Sequence, residues 1–158
     1  MAFFISRFDN KVDKKGRVSV PASFRAELAT QPFAGIVAFP SPVLNAIEAC
    51  GMDRLKEMAA HLDTMNPYGG NRSAFANAML TKSHQLTFDS EGRVGLPERL
   101  LKHAGISAMA TFAGTGPTFQ IWNPEAYEEF EREAEAQASE MAARGELPWH
   151  KPVGDAAQ

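Results

Sequence analysis

The stretch DKKGRVSVPASFR at residues 13–25 is written again 76 residues further on, as DSEGRVGLPERLL at residues 89–101. This duplicated D-x-x-G-R-V-x-(V/L)-P pattern constrains the fold more than any other feature of the chain. In each copy a glycine supplies the permissive backbone of a tight turn. The stretch after it alternates polar and apolar as a short strand does, and a proline ends that strand and opens a helix. Residues 5–12 lead into the first turn, and residues 84–88 alternate ahead of the second, so each copy reads as strand, turn, strand and short helix. The first helix spans 22–28 with Phe24 and Leu28 on one face, and the second has Leu100 inside and closes at Gly105. A local hairpin with one short helix cannot bury its apolar face alone. Two such units predict a pseudo-symmetric pair, in which one chain does what a homodimer does with two. A period of 76 residues is too long for a solenoid, whose repeats fall at about 20–50 residues.

Each short helix is followed by more strand-like sequence. In the second half residues 107–113 and 118–122 flank a Gly114-Thr115-Gly116-Pro117 turn, and Ile36, Val37, Ala38 and Phe39 are their counterpart in the first. Pro40 and Pro42 make the first-half return less like its partner. A helix is predicted over 52–65, with Leu55, Met58, Ala59 and Leu62 at helical spacing, and a shorter one over 72–80 after the Asn66-Pro67-Tyr68-Gly69-Gly70-Asn71 loop. Asn123-Pro124-Glu125 is a helix start signal, with Asn as N-cap and Pro at the first helical position, and this helix can run to about Gly145. The expected organisation is α+β: a first half with its helix over 1–65, a connecting loop and short helix over 66–80, a second half with a long acidic helix over 81–145, and a flexible tail over 146–158.

A chain of 158 residues, 44% hydrophobic and 22% charged, is expected to make one domain or two intertwined halves. No apolar run approaches the ~20 residues of a membrane span, and no basic segment precedes the apolar N-terminal residues, so neither membrane insertion nor a signal peptide is expected. One cysteine, Cys50, makes no internal disulfide and fits a reducing cytoplasm. The net charge of −3 hides an uneven distribution. Residues 7–25 hold six basic side chains (Arg7, Lys11, Lys14, Lys15, Arg17, Arg25) against two acidic ones, whereas residues 125–146 hold eight Glu against two Arg. The acidic block reads as a solvated helix face.

Four of the basic charges fall at residues 11–17, around the first turn, where they can face one partner. An arginine beside a turn can fork onto guanine O6 and N7 or onto a phosphate, while neighbouring lysines neutralise backbone charge. The same pairing of Asp13 with Arg17, and of Asp89 with Arg93, also fits an ion pair that pins a turn. The four His residues stand apart, without cysteines or carboxylates at metal-ligand spacing. No P-loop, no G-x-S-x-G and no dinucleotide fingerprint occurs, and no nucleophile is matched with a base. The sequence therefore predicts no enzyme, no metal, no cofactor and no small-molecule ligand. Phe119 and Trp122 read as packing residues of a half-buried strand.

The two D-x-x-G-R-V-x-(V/L)-P copies, together with G-x-x-x-x-F-x-I-W at residues 114–122, resemble the MraZ family, built from two SpoVT/AbrB-type halves. The resemblance covers most of residues 1–145. It implies a swapped-hairpin β-barrel of the AbrB type with flanking helices and a ring-like homo-oligomer in the cytoplasm, associated with the nucleoid. It also implies a transcriptional regulator that binds tandem short repeats of double-stranded DNA in the promoter of the division and cell-wall gene cluster, as a repressor that includes its own gene. The family's D-x-x-x-R signature falls on Asp13 with Arg17 and on Asp89 with Arg93. Arg17, Lys14, Lys15, Lys11, Arg7 and Arg93 are then the DNA-binding candidates, and Asp13, Asp89, Gly16 and Gly92 support the turns. Ser90 and Glu91 stand where the first turn has Lys14 and Lys15, so the first half is expected to dominate phosphate contacts. Arg93 either reaches DNA or completes the fold. A single copy would point only to the wider AbrB-like class, and the alternative from that class is a protein-interaction module of the antitoxin type.

Overall fold

The computed structural model describes residues 1–149. Residues 150–158, most of the expected tail, lie outside the described residues. The fold is α+β. The elements are β1 (Arg7–Lys11), β2 (Arg17–Ser19), α1 (Ala22–Glu27), β3 (Gly35–Pro40), β4 (Ile47–Cys50), α2 (Met52–Ala60) and α3 (Gly70–Phe75), then β5 (His84–Thr87), β6 (Arg93–Gly95), α4 (Glu98–Ala104), β7 (Met109–Gly114), β8 (Phe119–Trp122) and α5 (Pro124–Ala143). One compact unit spans Met1–Pro124, and a second begins at Glu125. None of the described helices is long and apolar enough to cross a membrane.

The helix expected over 52–65 is α2 continued by a 3₁₀ turn, His61–Thr64, and the one expected over 72–80 is α3 continued by a π-helical turn, Ala76–Leu80. Pro21 and Pro97 sit at the N-cap positions of α1 and α4, with φ of −50° and −57° and extended ψ, one place before the first helical residue. Their fixed φ serves the end of a strand as well as the start of a helix. Gly16 and Gly92 adopt φ of +80° and +76°, in the left-handed region where a Cβ is penalised.

The local hairpins expected around these glycines do not form as ladders. β1 pairs with β7 of the second half, and β5 pairs with β3 of the first. What remains between the strands flanking the first turn is a single bridge, Val12 to Val18. All pairings are antiparallel, giving a six-stranded sheet in the order β1-β7-β8-β4-β3-β5 and a separate two-stranded ribbon of β2 and β6. The sheet order reads the same from either edge when the halves are exchanged, so the pseudo-twofold implied by the duplicated motif runs through the fold. In the ribbon, Arg17 lies opposite Gly95, Val18 opposite Val94 and Ser19 opposite Arg93. The symmetry point is the pair of valines, each 1% exposed. Pairing across the halves buries both valines on one core, a gain of apolar burial that an isolated hairpin could not have.

That core is aromatic at its centre. Phe24 of α1 packs edge-on or tilted against Phe4, Phe8, Phe112 and Phe119, with centroids 4.9–6.4 Å apart. Leu100 of α4 is its fully buried counterpart. β3 is covered on both faces: Ile36 and Ala38 face the main core, while Val37 and Phe39 join a second cluster with Cys50, Leu55 and Met79. This accounts for the unbroken apolar run that the sequence shows there.

Candidate nucleic-acid interface

Each turn is organised by its aspartate. In the first, Asp13 Oδ1 accepts the backbone N–H groups of Lys15 (2.9 Å) and Arg17 (2.8 Å), and Oδ2 accepts Arg17 Nε at 2.7 Å. In the second, Asp89 Oδ1 accepts the N–H groups of Glu91 and Arg93, both at 2.9 Å, and Oδ2 accepts Arg93 Nε at 2.9 Å. A short acidic side chain that bonds the backbone two and four residues on is the local chemistry of an Asx-type turn. The turn glycines join the halves: Gly16 O accepts from Leu96 N at 2.8 Å, and Gly92 O accepts from Val20 N at 3.1 Å.

Side chains alternate across a ribbon, so with Val18 and Val94 turned inward, Arg17, Ser19, Arg93 and Gly95 share the outer face. The two arginines stand on a diagonal of that face, with backbones roughly 7–8 Å apart, and small residues occupy the other corners. A Cβ built at Gly95 meets nothing within 4 Å. Arg17 uses Nε on Asp13, and among the described residues its two terminal nitrogens have no hydrogen-bond partner. Arg93 is more committed, since its Nη2 also lies 3.4 Å from Glu91 Oε2. Lys14 and Lys15 are exposed on the first turn and Lys11 is exposed at the end of β1. Arg7 lies four residues before Lys11, roughly 13 Å away along the strand, and pairs with Asp9 at 3.4 Å. The turns thus gather Asp13, Lys14, Lys15, Gly16 and Arg17, and Asp89, Gly92 and Arg93, at the two ends of one ribbon. Arg7 stands apart from them.

Residues 79–147 match a family model described as "MraZ protein, putative antitoxin-like". A protein named Transcriptional regulator MraZ from Pelagibacter ubique is 45% identical over 148 residues, covering 94% of both chains. The chain belongs to the MraZ family. Proteins of the same name from Rickettsia akari and Rickettsia africae are each 44% identical over 89% of this chain, covering 95% and 94% of their own lengths. The family model covers the second half, whereas the match to the Pelagibacter ubique protein spans 94% of this chain.

In this MraZ-family chain the Arg17 N–H is the largest influence on Asp13, and with the Arg17 side chain and the Lys15 N–H it outweighs the opposing effect of burial and holds the carboxyl below the usual aspartate value. The N–H of Arg93, then that of Glu91 and the Arg93 side chain, do the same for Asp89. For a depressed carboxylate, the stabilisation is complete above the unfolded-state pKa and disappears as pH falls through the folded-state pKa. The clamps are therefore intact at neutral pH and release only in acid. A carboxyl NMR titration is expected to give both midpoints below the ordinary aspartate value, and midpoints at or above it would mean that the turns are not closed in solution. The Asp89 side chain, with further attraction from Asp89, Glu91 and Asp13, raises the Arg93 pKa, so part of that cation's field is spent inside the protein.

Away from the ribbon, a cleft of about 340 Å³ is lined by Phe39, Glu48, Cys50, Arg54, Phe75 and Met79 among others. Burial raises the Glu48 pKa and pushes the Cys50 thiol up to about 12, so the thiol is protonated at neutral pH and is not an activated nucleophile. Among the described residues no group of three His, Cys, Asp or Glu is placed to hold a metal ion.

One residue that sequence reasoning passed over reaches the second turn. A Cβ at Gly92 would fall 2.6–2.8 Å from the Arg25 guanidinium, whereas at Gly16 it would meet Leu101, 3.2 Å away. Arg25 and Leu101 hold the same place in the two motif copies, 76 residues apart. The mismatch between -SFR and -RLL was the available signal.

Proposed function

We propose that this chain is a DNA-binding transcriptional regulator that reads double-stranded DNA with the outer face of the β2/β6 ribbon. The observation that carries this reading is the diagonal pair of clamped arginines on an otherwise small-residue face flanked by Lys14 and Lys15. A two-stranded ribbon fits the major groove, where an arginine fork matches guanine O6 and N7. The Asp13 clamp fixes the Arg17 side chain before binding, which lowers the entropy lost when it engages a base. Lys14, Lys15 and Lys11 then neutralise phosphates, with Arg7 further along β1, and Arg93 adds a weaker contact. Gly16, Gly92, Asp13 and Asp89 keep the turns in shape. The regulator names of the full-length relatives support the same reading.

The finer features follow from the family resemblance. The exchange of β1 and β5 between halves is read as the swapped-hairpin barrel of the AbrB type, with halves at 1–65 and 81–145 joined by 66–80. Exposed Phe3, Ile5, Val43 and Phe75 provide apolar surface that assembly into a ring-like homo-oligomer would cover. Several ribbons on one ring would engage consecutive short repeats, and each later contact would then be intramolecular. The target is the promoter of the division and cell-wall gene cluster, the chain's own gene included, and the effect is repression in the cytoplasm at the nucleoid.

The test is a salt-titrated binding assay on duplex DNA from upstream of the chain's own gene. Neutralising Z phosphates gives a log-log slope near −0.9Z, so about four phosphates per bound protomer predict a slope between −3 and −4. A flat response at measurable affinity would sink the reading. The antitoxin-like description of the family model favours the second reading, a protein-interaction module, and a stoichiometric protein partner together with that flat response would establish it.

A further inference from the structure

We infer that Arg25 supplies the second turn with the phosphate contact that its own sequence lacks, an assignment that rests on the DNA-binding reading above. The second turn carries Ser90 and Glu91 where the first carries Lys14 and Lys15, so by sequence it is the acidic copy. The fold alters that balance by laying a cation from the other half across it. Arg25 leaves the end of α1 and donates Nε to Val20 O at 3.0 Å. Its guanidinium lies so close to Gly92 that a Cβ at residue 92 would fall 2.6 Å from Nη1, 2.7 Å from Cζ and 2.8 Å from Nε.

Arg25 thus has the same anchoring as Arg17. In each, Nε is held by an acceptor within the protein, and among the described residues the two terminal nitrogens have no hydrogen-bond partner. Arg25 lines an open cleft of about 370 Å³ together with exposed Ser90 and buried Gly92. A guanidinium held at Nε with its fork open is arranged for two parallel bonds to a phosphate. Asp89 also lines the cleft, but its two oxygens already accept the N–H groups of Glu91 and Arg93 and the Arg93 Nε. Most of its charge is therefore answered before a phosphate arrives. The first turn has no need of this device, and Leu101, the counterpart of Arg25, packs as an apolar side chain against the core. Each half of the ribbon so obtains its phosphate contacts differently: the first from lysines on its own turn, the second from an arginine across the pseudo-twofold.

The pseudo-symmetry also supplies the test. Leu101 shows that leucine fits this place in the fold, so Arg25→Leu is expected to keep its folded circular dichroism and oligomer mass. Salt titrations of wild type, Arg25→Leu, Arg25→Lys and Leu101→Arg are run on duplex DNA from upstream of the chain's own gene and on an unrelated duplex of equal length. Losing one phosphate contact lowers the magnitude of the slope by about 0.9 per bound protomer and weakens both duplexes alike. The loss expected for Arg25→Leu at low salt is about tenfold, the scale of one charge-assisted bond. Arg25→Lys keeps the wild-type slope, and Leu101→Arg steepens it. A wild-type slope for Arg25→Leu would overturn this assignment and leave the DNA-binding reading standing. A wild-type protein without salt-dependent binding would overturn both.

Discussion

Replacing Arg17 with alanine is expected to cost about 1–3 kcal/mol of discrimination per engaged base pair, the scale of one bidentate arginine contact. In affinity this is roughly fivefold to more than a hundredfold at a single contact, and it multiplies across protomers that engage consecutive repeats. Arg93→Ala should cost less, because Glu91 already draws on that guanidinium at 3.4 Å. The fold should tolerate both changes. The Asp13 with Arg17 pair is partly exposed, at 34% and 41% of the side chains, and ion pairs open to solvent contribute only about 0.2–1 kcal/mol. Affinity on the upstream duplex, measured at unchanged oligomer mass and circular dichroism, therefore separates a reading residue from a scaffold. If Arg17→Ala binds like wild type, the D-x-x-G-R turns are scaffolding. A loss equal on specific and unrelated duplexes would assign Arg17 to phosphate instead of base.

Phe24→Ala should have the largest effect on stability, about 3–5 kcal/mol. The ring is 1% exposed and packs against Phe4, Phe8, Phe112 and Phe119. Removing it leaves a cavity lined by stiff aromatic neighbours that can close on it only partly. Two of those neighbours come from β7 and β8, so the loss falls on the seam between the halves. Against the 5–15 kcal/mol typical of a whole domain, this is enough to populate unfolded chain under mild denaturant. Denaturant unfolding checks it: the midpoint should fall with the slope unchanged. A shift below about 1 kcal/mol would mean that the core repacks around the gap. Leu100→Ala, at the pseudo-equivalent place, is expected to lose about 2–5 kcal/mol.

Much of the architecture is legible in residue order because its signals are local. Gly16 and Gly92 mark the left-handed turns, Pro21 and Pro97 end the strands, and Val18 and Val94 alternate inward. The spacing of Phe24 with Leu28 gives α1 its buried face, and Asn123-Pro124-Glu125 sets the start of α5. Even the Asp13 and Asp89 clamps can be read, since an aspartate two and four residues before its partners needs no distant contact. The two motif copies also announce the pseudo-twofold. Which strand edge meets which is another matter. A row of backbone N–H and C=O groups carries no mark of its partner, so the sequence does not distinguish a local β1 with β2 ladder from the observed pairing of β1 with β7 and β2 with β6. Burial decides it, because only the exchange places Val18 against Val94 and closes one aromatic core from both halves. The same distance in sequence hides Arg25, which joins the second turn only when α1 of one half packs beside Gly92 of the other.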